Sequence, residues 1–259
     1  MNKLSKKLEL VISLKFFVFV IIVLLIFFNF FDIFIFQLTR SFHGYFFSFF
    51  KEIIDPLSDI LDPLHLMIIC VIIIMLIYNI KLLLKNSSKL ELMELKSGLK
   101  KDQIIHTFSY YSLVFKHSLV SLIAAGIACN ILKYIIGVAR PKYYFLKNYD
   151  RVDFFNIEHK VNSFPSGHTQ AAFTLAILLI IYINRFYFII ITVAILMSLS
   201  RIFMSMHFPS DIIFGAYVGS FIPIIIYKLY FEMSFDRVEL RNTIKFQDFL
   251  KLLYWRISI

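Results

Sequence analysis

Apolar residues gather into six runs along the chain, at roughly 16–36, 63–84, 112–136, 167–184, 186–203 and 211–230, with polar or aromatic-rich stretches between them. Each run approaches the length of about 20 residues that a helix needs to cross the hydrocarbon core of a bilayer. The pattern predicts an all-α polytopic membrane protein of six transmembrane helices in one bundle, with residues 1–259 forming a single membrane-embedded domain. Asp62-Pro63 reads as an N-cap followed by proline at the first helical position, opening the second run. The stretch 37–61 ahead of it is too polar to cross yet rich in aromatics, which predicts one or two short amphipathic helices on the outer surface. Lys3, Lys6 and Lys7 precede the first run as they would in a secretory leader, but the run is longer than a leader's apolar region and lacks a small-residue cleavage site. It reads as a retained anchor.

Composition agrees. Of 259 residues, 59% are hydrophobic and 17% charged, far from the balance of a soluble domain. With the N-terminus placed in the cytoplasm, 18 of the 27 Lys and Arg residues fall on the inner side and nine on the outer, so both termini are expected to be cytoplasmic. The formal charge of +10 is then orientation signal and attraction to anionic lipid, with no nucleic-acid partner implied. The lysine-rich stretch 85–105 reads as an inner loop. The tail 233–259, where Phe246, Phe249, Leu250, Leu253 and Trp255 alternate with Arg241, Lys245, Lys251 and Arg256, reads as a cytoplasmic helix lying along the interface. Cys70 and Cys129 have no motif partner and read as small buried hydrophobes, with no disulfide or zinc site.

The outer cations are not scattered. Lys133 and Arg140 stand seven residues apart at the end of the third run, which is two helical turns and so one face, and Pro141 discourages the helix from continuing past a lip at Arg140. Pro165-Ser166-Gly167-His168 opens the fourth run, with Ser166 a natural N-cap and Gly167 leaving the amides of the helix start uncovered, a site for an anion. Ser200 and Arg201 end the fifth run, His207 stands just ahead of the sixth, and Asp211 lies in its first turn. Because successive spans alternate in direction, all four of these helix tips are expected on one side. Three cations, an open helix start, two histidines and a carboxylate suit phosphoryl transfer. The cations neutralise the equatorial oxygens, a neutral His207 attacks while Asp211 accepts its other ring proton, and His168 protonates the leaving alkoxide and later activates water.

Lys133-x6-Arg140-Pro141, Pro165-Ser166-Gly167-His168 and Ser200-Arg201-x5-His207-x3-Asp211 together resemble the three-part signature of the type 2 phosphatidic acid phosphatase family, over 133–211. The resemblance implies His207 as the nucleophile forming a phosphohistidine, Asp211 as its partner and His168 as general acid. Lys133, Arg140, Ser166, Gly167 and Arg201 become phosphate ligands. It further implies metal-independent hydrolysis of a lipid phosphate monoester or diphosphate, with no cofactor. The lipids that fit are phosphatidic acid, phosphatidylglycerol phosphate, undecaprenyl diphosphate and the phosphates of lipid A, reached from the outer leaflet of a bacterial inner membrane.

Each piece is weak alone: a lysine at a span end is usually a snorkelling anchor, and a single buried histidine usually just makes hydrogen bonds. Anchors, however, have no reason to adopt the histidines, the spacing and the shared side together. A metal site is disfavoured because the histidines lack metal-ligand spacing and the neighbouring cations repel a divalent ion. His43, His65, His106, His117 and His159 receive no role. The loop 142–164, with Lys142, Tyr143, Tyr144, Lys147 and Arg151, is expected to border the headgroup entrance or to lie as an interfacial aromatic belt. The rival functions are a phosphotransferase of the same fold and, less favoured, a lipid transporter.

Overall fold

A computed structural model describes residues 6–42, 44–183, 185–239 and 246–257. Lys3, His43, Arg241 and Lys245 lie outside the described residues. The described residues are helical apart from turns, short extended stretches and one isolated β-bridge between Val138 and Val152. The helices used below are α1 (Leu14–Ser41), α2 (Asp55–Ile60), α3 (Pro63–Leu83), α4 (Ser87–Ser97), α5 (Lys101–Ile136), α6 (Pro141–Lys147), α7 (Gly167–Ile183), α8 (Tyr187–Phe203), α9 (Pro209–Ile226) and α10 (Phe246–Ile257).

All six predicted runs are helical. Four helical stretches are long and apolar enough to cross a membrane, namely Leu14–Ser41, Tyr45–Leu83, Lys101–Ile136 and Pro209–Val238. Helices α7 and α8 are 17 residues each. At 1.5 Å per residue each spans about 25 Å, less than the hydrocarbon core of about 30 Å. Many large side chains on α1 and α3 are exposed, Leu14 and Phe30 by about three quarters, as in a surface solvated by lipid.

The boundaries differ from expectation in two places. The first helix continues to Ser41 through one π-helical turn at Phe27–Phe31, taking residues 37–41 out of the predicted surface segment. The rest of that segment, from Tyr45 to Ile60, is helical and leads into α3 across a break at Leu61 and Asp62, where Asp62 Oδ1 accepts the Leu64 amide at 2.8 Å as the sequence predicts. The predicted inner loop, 85–105, is mostly helix. Asn86 caps α4, Gly98 ends it at a left-handed φ of +70°, and Gln103 Oε1 accepts the Lys100 amide at 3.0 Å as α5 begins.

By contact the chain divides into two compact units. The unit of Met67–Val120 and Ile226–Ile259 is built on an apolar core in which Ile77, Ile80, Met93, Ile104, Phe108, Tyr111, Phe249 and Leu252 are buried. The tail helix α10 therefore does not simply rest on a surface: Phe249 stacks on Tyr111 with ring centres 4.2 Å apart, and only residues such as Phe246, Leu250 and Tyr254 remain exposed.

The unit of Asn2–Leu66 and Ser121–Ile225 carries every predicted site residue. Its core joins Phe50 and Ile54 to Ala172 and Ala176 of α7 and to Ala194, Met197 and Phe203 of α8. Small residues let the helices approach closely. A Cβ on Gly215 of α9 would lie 2.7 Å from Ser166 O, and one on Gly219 would lie 2.3 Å from Gln170 O, so α9 meets the start of α7 backbone to backbone.

Candidate active site

Ser166 supplies the N-cap of α7 as predicted: its Oγ lies 3.4 Å from the Thr169 amide and its carbonyl accepts the Gln170 amide at 2.9 Å. The Ser166 amide donates to Asp211 O at 3.0 Å, joining the start of α7 to the first turn of α9. Lys133, at the end of α5, donates from Nζ to Asn162 O at 2.9 Å, and its Cε lies 3.9 Å from where a Cβ on Gly167 would sit. At the end of α8, the Arg201 carbonyl accepts the amides of Met206 and His207 at 3.0 and 3.3 Å, curling the loop back over the helix terminus. Arg40 of α1 closes the same terminus by donating to the carbonyls of Ile202 and Phe203 at 3.1 and 2.5 Å. Four helix tips thus bring Lys133, Gly167, His168, Arg201, His207 and Asp211 into one polar cup.

Arg140 joins them by a different route from the one expected. The helix ends at Ile136, before Arg140, so the two cations do not share a helical face. Gly137 turns the chain at φ +57°, in a place where a Cβ would meet the Asp153 carbonyl at 1.8 Å, and Val138 bridges Val152. The Arg140 amide then donates to Lys160 O at 3.0 Å, and Pro141 starts α6 instead of ending α5. Burial and the neighbouring Arg201 charge draw the Arg140 pKa below its ordinary value, as befits cations crowded together.

His207 is 3% exposed, and Asp211 and Ser163 are fully buried. The expected pairing of His207 with Asp211 is present but loose: Nδ1 lies 3.5 Å from Asp211 Oδ2. Ser163 stands between the two, with Oγ 3.3 Å from His207 Nδ1 and 2.5 Å from Asp211 Oδ2. A hydroxyl has one proton. Donated to the carboxylate, it leaves an oxygen lone pair to accept the imidazole Nδ1–H, which keeps Nε2 unprotonated. The Phe208 amide donates to the same carboxylate oxygen at 2.7 Å and fixes its orientation. Burial, then the charges of Lys133, Arg140, Arg201 and His168, push the His207 pKa well below the ordinary histidine range, so the ring is neutral at neutral pH.

Three features in or behind the cup were missed in the sequence reading. The first is Ser163. The second is Asp32, whose Oδ1 accepts the Ser210 amide at 2.8 Å and whose Oδ2 accepts the Ser210 hydroxyl at 2.5 Å and Arg151 Nη2. Arg151 therefore turns inward rather than bordering an entrance, and its guanidinium covers the Phe208 ring at 3.6 Å. The third is α2: Asp55 Oδ1 holds Arg201 Nη1 at 2.5 Å, and Asp59 Oδ1 lies 3.9 Å from His168 Nε2. A charged residue inside an apolar run was the available signal for Asp32. The four-residue spacing of Asp55 and Asp59 was the signal for a shared helical face.

Residues 116–234 match the sequence model of the PAP2 superfamily. The lipid A 1-phosphatases of Rhizobium johnstonii and Rhizobium etli are each 30% identical to this chain over 135 residues, 51% of its length and 52% and 55% of theirs. The bacitracin transport permease protein BcrC of Bacillus licheniformis is 27% identical over 114 residues, 44% of this chain and 56% of that protein. The chain thus spans about half the length of the curated relatives it matches. No solved structure matches it. All eight predicted site residues lie within 116–234, the part of the chain that matches the PAP2 superfamily model.

Proposed function

We propose that the protein is a membrane-embedded lipid phosphatase that hydrolyses a lipid phosphate monoester or diphosphate through a phosphohistidine on His207, without a metal. The observation that carries this reading is a buried imidazole, held by Ser163 and Asp211, among Lys133, Arg140 and Arg201.

The substrate phosphate binds the three cations, the Ser166 hydroxyl and the amides around Gly167 at the start of α7. His207 Nε2 attacks phosphorus as the bond to the lipid oxygen breaks, and His168 gives that oxygen a proton. The positive charge formed on the imidazole is stabilised through Ser163 by the Asp211 carboxylate. In the second half, His168 takes a proton from water, the resulting hydroxide displaces His207 from phosphorus, and inorganic phosphate leaves. Positioned cations of this kind are worth about 10²–10³ each in rate where they meet charge developing in the transition state.

The chain crosses the inner membrane of a bacterium six times with both termini in the cytoplasm, and the cup opens on the periplasmic side. The distribution of Lys and Arg supports this orientation. The two rhizobial relatives are named for the 1-phosphate of lipid A, which supports a phosphorylated lipid as the substrate. The clustering of charge at helix ends, away from the helix middles, favours chemistry over passage.

The test is phosphate release by purified protein in detergent. Phosphatidic acid or an isoprenyl diphosphate is expected to yield inorganic phosphate in excess chelator, and His207→Ala to yield none. Wild-type turnover in His207→Ala, or complete loss of wild-type turnover on chelation, overturns the proposal.

A further inference from the structure

Asp55 and Asp59 stand on successive turns of α2, in a part of the chain ahead of the PAP2 match, and both reach the cup. The helix is anchored there. Just before it, Phe50 stacks on Phe203 of α8 with ring centres 4.3 Å apart, and Ile54 is buried in the same core. Asp55 holds Arg201 by one nitrogen, while the guanidinium, about nine-tenths buried, keeps its Nε without a protein acceptor and so retains a donor for a phosphate oxygen. Asp59 lies beside His168 Nε2 with its own side chain largely exposed.

Resting on the phosphatase reading, we infer that Asp59, backed by Asp55, makes the enzyme selective for phosphate monoesters over diphosphates, because a carboxylate borders the position of the leaving group. His168 protonates the leaving oxygen, so whatever that oxygen carries lies next to Asp59. The leaving group of a monoester is a neutral alcohol or sugar, whose hydroxyls can donate to a carboxylate. The leaving group of a diphosphate is itself a phosphate anion, and Asp59 repels it. Asp55 acts in the same direction by cancelling part of the Arg201 charge that a second phosphate would need. Because Asp59 is well solvated, the discrimination is moderate, about fivefold for one charge a few ångströms from another in a largely aqueous setting.

The experiment compares wild type with Asp59→Asn and Asp59→Glu in detergent. It measures kcat/KM for dioleoyl phosphatidic acid and farnesyl diphosphate, and Ki for orthophosphate and methylenediphosphonate. The wild type is expected to favour the monoester. Asp59→Asn is expected to shift both the hydrolysis ratio and the Ki ratio toward the diphosphate by about fivefold, and Asp59→Glu to keep the wild-type ratios. The inhibitor arm separates charge selection from proton donation, because binding of the diphosphonate needs no proton from His168.

Wild-type preference for the diphosphate, or ratios in Asp59→Asn within about twofold of wild type, overturns the inference while leaving the phosphatase standing. A hydrolysis ratio that moves without the Ki ratio also overturns it, since Asp59 then acts through proton donation. Hydrolysis of neither substrate overturns both readings.

Discussion

Two buried polar clusters lie back to back across Phe208 and Pro209, and they differ in how fully their carboxylates and cations are partnered. Around Asp32 the carboxylate is fully employed: both oxygens accept from Ser210, and Arg151 neutralises it while covering the Phe208 ring, although Arg151 Nη1 is buried without a partner. Around His207 the cations are left partly unemployed. Arg140 Nε and Arg201 Nε are buried without a protein acceptor, and Asp211 Oδ1 is buried without a donor. A buried charge with its partners in place holds structure, whereas buried cations kept short of partners raise the free energy of the fold and are tolerated where a ligand completes them. The first cluster props up the turn from which the second works.

Substitutions can break or sharpen this contrast. The largest effect belongs to His207→Asn, which removes the proposed nucleophile and is expected to lower phosphate release by on the order of 10⁴-fold or more, with the thermal midpoint in detergent close to wild type. Next is Arg140→Met, expected to cost about 10²–10³ in kcat/KM while the midpoint holds or rises, since a crowded buried cation is replaced by an apolar chain of similar length. A large loss of stability there would erase the distinction between the clusters. Asp32→Ala should behave in the reverse order, losing about 3 kcal/mol of stability, the low end for a broken buried pair because Arg151 retains some solvent contact. Denaturant titration of the purified variant reads it.

Ser163→Ala sharpens the picture within the cup. It removes the hydroxyl between His207 and Asp211, and a loss of about tenfold in kcat with KM unmoved is expected, the worth of one net hydrogen bond. The smallest effect is on acid stability. Burial lowers the folded pKa of His207 below its unfolded value of about 6.5, so the unfolded chain binds a proton that the folded chain refuses. The stability contribution of the neutral ring is complete above that value and is lost as pH falls from there toward the folded pKa. Wild type should therefore lose more stability than His207→Asn on acidification below pH 6.5, by about 1 kcal/mol per pH unit. Parallel curves for the two proteins would remove His207 from the account.

Much of the cup was legible because its chemistry sits in short segments at helix boundaries. Ser166 and Gly167 follow from capping rules, and His207 and Asp211 from a four-residue offset across a proline. Arg140 was placed correctly among the cations for the wrong reason: the seven-residue spacing suggested one continuous helix, while Gly137, well suited to end a helix, was the better signal. Ser163 carried no spacing rule, and only the fold brings it within reach of a histidine 44 residues away. The pairing of Asp32 with Arg151 spans 119 residues and has no local trace, although an acid within an apolar run marked one half of it. The six apolar runs located the helices well, but the run boundaries understated α1 and α5, because charged residues at a helix end extend the helix without extending its apolar stretch.

The glycines at 215 and 219 set a limit on how this molecule can diversify. With the backbones of α7 and α9 in direct apposition, neither helix can shift to admit a bulkier head without opening a gap between the two histidines' supports. Under the proposed function, a different lipid head has to be accommodated at the acidic rim and the loop that follows Arg140 and not at the four helix tips. Grafting a different rim onto the same four tips is the economical way to redirect the protein.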